Sequence, residues 1–236
     1  MLKAGELAAQ ALELAGRNAV PGISTWELDR IVNDYVVSHG GSSPCKGFPG
    51  HNCFSINEQL IHGIPSKKVI LKEGDIISCD IVAELNGFMG DNTKTFRVGK
   101  VSDEADRLLR ITEEALYKGI EQAVAGNRIG DISNAIQTHV ESNGYAICKK
   151  YIGHGIGRDM HEDPEVPNFG RPGRGPRLCK GMTIAIEPMV NTNFPEVNVL
   201  KDGWTVVTTD GSLSCHFENT VAITDGEPII LTRPEH

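Results

Sequence analysis

The amino-acid sequence predicts an α+β fold, because two pairs of helix-period segments alternate with β-rich runs separated by two-residue turn signals. Asn86-Gly87, Asp210-Gly211 and Asp225-Gly226 are those signals. The length, 236 residues, suits one large domain, so a single domain over 1–236 is expected. Leu7, Ala8, Ala11, Leu12 and Ala15 share one face of a first helix that should end near Gly16, ahead of the Pro21-Gly22 turn. Ser24 and Glu27 form a capping box that opens a second helix. Its apolar positions Leu28, Ile31, Val32 and Tyr35 run to the stop at Gly40-Gly41. Two further helices are predicted over 103–125, with Leu108, Ile111, Ala115 and Ile120 in period, and over 131–142, with Ile132, Ala135, Ile136 and Val140. Strands are expected at Ile76–Ala83, Phe88–Val98, Thr183–Val190, Thr205–Thr208, Ser214–Ile223 and Ile229–Leu231.

Composition narrows the function. Charged residues make up 23% and hydrophobic residues 39%, which are globular values. The net charge is −8 and no lysine–arginine run gathers in one segment, which argues against direct nucleic-acid binding. The six cysteines form no C-x-x-C pair, so a zinc knuckle is not expected, and reduced thiols in the cytoplasm fit best. No apolar run is long enough to span a membrane, and the N-terminus has no export signal.

Four acids and one imidazole then stand out: Asp80, Asp91, His154, Glu187 and Glu218. Two divalent cations would balance the four carboxylates, which would be intolerable buried and empty. If Asn86-Gly87 is a two-residue hairpin loop, Asp91 lies opposite Val82, and Asp80 shares the face of Val82. An isolated aspartate pair is more often solvated, but Asp80 is embedded in the apolar run Ile76-Ile77-Ser78-Cys79-Asp80-Ile81-Val82. Glu187 in Thr183-Ile184-Ala185-Ile186-Glu187-Pro188 and Glu218 in His216-Phe217-Glu218-Asn219-Thr220 are likewise acids in apolar strands without a basic neighbour in sequence. In Gly153-His154-Gly155-Ile156-Gly157, followed by His161, glycines let the backbone approach closely around two histidines.

Together with Asn57-Glu58-Gln59-Leu60-Ile61-His62-Gly63-Ile64-Pro65, these motifs resemble type I methionine aminopeptidase over nearly the whole chain. The resemblance implies the pita-bread fold, two pseudo-symmetric halves around a curved antiparallel sheet that holds a dinuclear metal centre. It implies that Asp80 binds one metal ion through both oxygens, that Asp91 and Glu218 bridge two ions, and that His154 and Glu187 complete the other shell. The ions would be Co, Mn, Fe or Zn, since hard carboxylates and one imidazole suit any of them. A bridging water would attack the first peptide bond, Glu187 would carry its proton, His161 would polarise the carbonyl and His62 would contact the substrate amide. Cys45, Phe48, Cys53, Met160 and Trp204 match the family's methionine pocket, where aromatic faces and sulfur suit a thioether. Taken singly, each of these five is as readily ordinary core.

By the same resemblance the substrates are nascent polypeptide N-termini whose second residue is small, with transient ribosome contact and a monomeric state. Asn57, the backbone of Gln59 and Ser214 resemble a monovalent-cation site. Three departures from the pattern are visible. The chain opens inside what resembles the family's first helix, Asn219 stands where His is frequent, and Met160 stands where an aromatic is usual. A proline-specific peptidase of this fold would share the ligands but normally carries a further N-terminal domain, for which this chain has no room. A non-catalytic relative would have lost ligands, and all five are present.

Overall fold

Four helices form where apolar periodicity placed them: α1 (Leu2–Asn18), α2 (Thr25–Ser38), α3 (Asp103–Glu121) and α4 (Ile129–Ser142). The structure is a computed structural model that describes residues 1–45 and 47–233. The capping box of α2 is made in full, with Ser24 Oγ accepting from Glu27 N and the Glu27 carboxylate accepting from Ser24 N. Helix α3 stops at Glu121, short of the expected 125, and α4 starts at Ile129, two residues early, because Asp131 accepts from Arg128 N and closes the first turn there.

The strands are β1 (Cys53–Ile56), β2 (Gln59–Ile61), β3 (Ile76–Leu85), β4 (Phe88–Arg97), β5 (Ala146–Ile147), β6 (Gly153–Gly155), β7 (Glu162–Val166), β8 (Thr183–Ile186), β9 (Met189–Asn191), β10 (Val197–Val199), β11 (Val206–Thr208), β12 (Ser214–His216), β13 (Glu218–Ala222) and β14 (Ile229–Ile230). An eight-stranded antiparallel sheet runs β1-β3-β4-β13-β8-β6-β7, with β14 on β13. Two three-stranded sheets, β10-β11-β2 and β12-β9-β5, lie beside it.

Two expected strands are broken. Thr183–Val190 divides at Glu187-Pro188 into β8 and β9, and Ser214–Ile223 divides at Phe217 into β12 and β13. Each pair changes sheet at the break. Pro188 has no N–H to continue the ladder of β8, so the chain leaves the main sheet just where Glu187 sits.

Side-chain alternation divides the main sheet into two faces. On β3, Ile77, Cys79, Ile81 and Ala83 pack with Leu7, Ala11, Leu28 and Val32 of α1 and α2. On β8 and β13, Ile184, Ile186 and Val221 pack with Leu108, Ile111, Ile132 and Ile136 of α3 and α4. Each helix pair therefore covers one half of the sheet with its own core, and the halves join where β4 pairs with β13. The acids point to the other face. No helix among the described residues is long and apolar enough to cross a membrane.

Candidate active site

The Asn86-Gly87 turn fixes the first pair of acids. Both residues have positive φ, 55° and 78°, as a two-residue hairpin of this twist requires. The β3–β4 ladder runs without a bulge, so Val82 faces Asp91 and Asp80 faces Thr93, as the sequence predicts. At the seam between halves, Thr93 faces Glu218 and Asn92 faces Asn219. Asn219 Nδ2 donates to Asn92 Oδ1 at 3.0 Å, so the residue that departs from the family pattern is held by an amide pair on the helix side of the sheet.

His154 comes from β6, and the glycines around it are required by space. A Cβ on Gly153 would lie 2.4 Å from the Ala185 carbonyl oxygen, and one on Gly155 would lie 2.2 Å from that of Asp163. His154 Nδ1 donates to the Gly155 carbonyl at 2.9 Å, leaving Nε2 as the lone-pair nitrogen that faces the acids. That Nε2 lies 3.5 Å from Glu187 Oε1 and 3.8 Å from Asp91 Oδ2.

All five predicted ligands line one cavity of about 470 Å³, together with His62, His161, Cys45, Phe48, Cys53, Met160 and Trp204. Asp91, His154 and Glu218 form its tightest group, each offering a ligand atom within 4.8 Å of the others. Asp80 and Glu187 stand beside that group in the same cavity. The donor set fits divalent cations: Asp91 Oδ1 and Glu218 Oε1 are buried and have no hydrogen-bond partner in the protein. Burial, with mutual repulsion second, pushes the carboxyls of Asp91, Glu187 and Glu218 well above the usual range, and burial pushes Asp80 to about 6. Burial thus favours the protonated carboxyls, and bound cations would favour the charged ones instead.

The histidines are neutral by burial. His154 is lowered to about 4, and His62 and His161 are lowered as well. His62 has φ 57°, an uncommon conformation for a residue with a side chain, and its ring packs edge-on against Tyr151 and Trp204 at centroid distances of 5.9 and 6.4 Å. His161 stacks on His154 at 4.3 Å.

Phe48 meets Trp204 edge-on at 5.3 Å, giving the cavity an aromatic wall. Asp29 on α2 anchors the neighbouring loop by accepting from His51 N and Asn52 N. Burial raises the Cys45 thiol to about 12 and holds the Cys53 thiol well above its usual range, so both are uncharged contacts and not nucleophiles. The Asn57 carbonyl accepts from both the N–H and the Oγ of Ser214, which brings two of the three suggested monovalent-cation residues together.

Like Tyr151, one histidine of the cavity, His216, escaped the reading of the sequence. The available signal was its place two residues before Glu218, in a stretch taken as a single strand.

A family model described as metallopeptidase family M24 matches residues 1–225. The chain belongs to metallopeptidase family M24. Among members of the family, a methionine aminopeptidase of Clostridium perfringens is 54% identical, covering 98% of this chain and 94% of its own. The solved methionine aminopeptidase of Rickettsia prowazekii superposes with a TM-score of 0.96 at 39% identity, covering 98% of this chain and 95% of that one. A prolidase from Pyrococcus furiosus, at 23% identity and a TM-score of 0.79, shares the fold; this chain covers 63% of it. The M24 fold is thus the pita-bread arrangement that the motifs implied, and the chain uses metal to hydrolyse peptides.

Proposed function

We propose that this chain is one catalytic domain, 1–236, that removes the N-terminal methionine from nascent proteins when the second residue is small. The observation that carries this reading is the meeting of five acidic and imidazole ligands with an aromatic, sulfur-bearing wall in a single cavity, in a chain 54% identical to a methionine aminopeptidase. Asp80, Asp91, His154, Glu187 and Glu218 would hold two divalent cations, Co, Mn, Fe or Zn. When bound, the cations supply Lewis acidity and a water nucleophile at neutral pH.

The protein's own groups do the rest. Phe48, Trp204, Met160, Cys45 and Cys53 take up the methionine side chain, and the acidic floor receives the free α-amine, which confines cleavage to chain ends. His161 donates to the oxygen of the first peptide carbonyl, where negative charge develops. Glu187, with a carboxyl pushed upward by burial, suits the carriage of a proton towards the leaving amine. His62, held edge-on between Tyr151 and Trp204, contacts the amide nitrogen and leaves room only for a small second residue. A monovalent cation beside Asn57, Gln59 and Ser214 would stiffen the adjoining wall. The protein would work as a cytoplasmic monomer with transient ribosome contact.

The test is release of free methionine from Met-Ala-Ser by metal-stripped protein with Mn, Co, Fe or Zn restored, beside Ala-Pro-Ser as control. Metal-dependent cleavage of the methionine peptide alone is expected. Folded, metal-loaded protein that cleaves neither peptide would overturn the reading, and cleavage of the proline peptide would shift it to a proline-specific peptidase.

A further inference from the structure

His216 is the one imidazole in the cavity to which neither the motifs nor the proposed reaction gives a task. It is 2% exposed, and neither ring nitrogen has a hydrogen-bond partner in the protein. Two unsatisfied nitrogens on a buried ring are costly, so such a ring is retained only where something in the cavity completes it.

Its backbone is fixed on both sides. Thr95 Oγ1 accepts from His216 N at 3.1 Å and donates to the His216 carbonyl at 2.8 Å, and β12 pairs His216 with Met189, two residues beyond Glu187. From there Nε2 reaches to 3.7 Å from Glu187 Oε2, just beyond hydrogen-bond range. Glu187 Oε1 lies 3.5 Å from His154 Nε2 on its other side. The carboxylate is therefore bracketed, with one oxygen turned to the imidazole of the ligand group and the other to His216.

We infer that His216 is a positioning residue, whose Nε2–H holds Glu187 Oε2 and so leaves Oε1 free to face the metal. The inference rests on the reading of Glu187 as a ligand and proton carrier. A carboxylate tied at one oxygen keeps one orientation through the reaction, and partners of this kind, one layer behind the ligands, commonly set affinity and rate. The amide of glutamine could make the same hydrogen bond, whereas leucine or phenylalanine could not.

The test compares metal-stripped wild type with His216→Gln, His216→Leu and His216→Phe. Co(II) affinity is followed by absorption spectroscopy and calorimetry, kcat and KM on Met-Ala-Ser by methionine release, and folding by circular dichroism. His216→Leu should weaken the tighter Co(II) site by about 10- to 100-fold and lower kcat by a similar factor, with KM changed by less than about threefold. His216→Gln should recover both to within about fivefold. His216→Phe keeps a ring and removes both nitrogens, and should behave as His216→Leu does. Wild-type Co(II) affinity and kcat in a folded Leu or Phe variant would overturn the inference, as would equal impairment of the Gln and Leu variants. The Co(II) titration needs no turnover, so it decides the role of His216 separately from the peptidase assignment.

Discussion

Thr93 on β4 stands directly across the ladder from Glu218 on β13, and its Oγ1 donates to Glu218 Oε2 at 2.9 Å. The same residue faces Asp80 on β3, so one hydroxyl sits between acids from the two halves of the sheet. Glu218 Oε1 is left buried without a partner and directed at the ligand group. Thr93→Val keeps the shape and removes the donor, so the fold should survive while divalent-metal affinity falls by about 10- to 100-fold. Calorimetric titration of the stripped variant with Mn or Co measures this, and unchanged affinity would count against it.

Metal-free protein should lose stability as pH rises above about 6.5, where unfolded histidines are already neutral. Below that value two effects oppose one another. The carboxyls are raised in the folded state, Asp80 to about 6 and Asp91, Glu187 and Glu218 well above the usual carboxylate range, so their stabilisation is full at acid pH and is lost as pH rises through the folded pKa values. The histidines are lowered, His154 to about 4 and His216 to about 3, and their contribution is instead lost as pH falls. Above 6.5 only the carboxyl effect remains. Melting curves at pH 6.5 and 8.5, with and without metal, test this: the stripped protein alone should drop.

How much of this was legible in the sequence depends on the kind of signal. The placing of Asp91 opposite Val82 followed from one turn, because a two-residue loop leaves the register no freedom. The helices followed from apolar period and caps. Short strands such as β6, β7 and β10 did not show, because three to five residues carry too little alternation. The break at Pro188 carried a signal in the proline itself, which has no N–H for the ladder, whereas nothing in Ser214–Ile223 marks the change of sheet at Phe217. His216 was hidden because the carboxylate it faces, Glu187, is brought near only by tertiary folding.

Replacing His161 by alanine should lower kcat by about 100-fold, if it is the proposed donor to the developing oxyanion. Metal content should stay at the wild-type level, because His161 touches the ligand group only through the His154 ring. Metal analysis beside steady-state kinetics separates this from loss of a ligand.

Phe48→Ala removes half of the edge-on pair with Trp204. Aromatic pairs contribute about 0.5–1.5 kcal/mol beyond their area, so KM for methionine peptides should rise by about threefold to tenfold with a smaller effect on kcat. Peptides beginning with norleucine, which lack the sulfur, report whether the wall or the thioether sets the change.

Ser24→Ala should cost about 1 kcal/mol by dismantling the α2 capping box. For a chain of this size that is a fall of about 2–4 °C in Tm, with kcat unaffected, because the cap lies outside the cavity.

The seam between β4 and β13 also sets an order in time. Asp80 and Asp91 leave the ribosome early, on a hairpin whose helices supply its core, whereas Glu218 is the last of the five clustered residues to be made, on a strand that must slot into the middle of the sheet. Until β13 is synthesised and inserted, the halves share no ladder and the acid cluster is incomplete. A newborn copy of this protein therefore brings Glu218 to the other four acidic and imidazole residues only once β13 has been made and inserted beside β4.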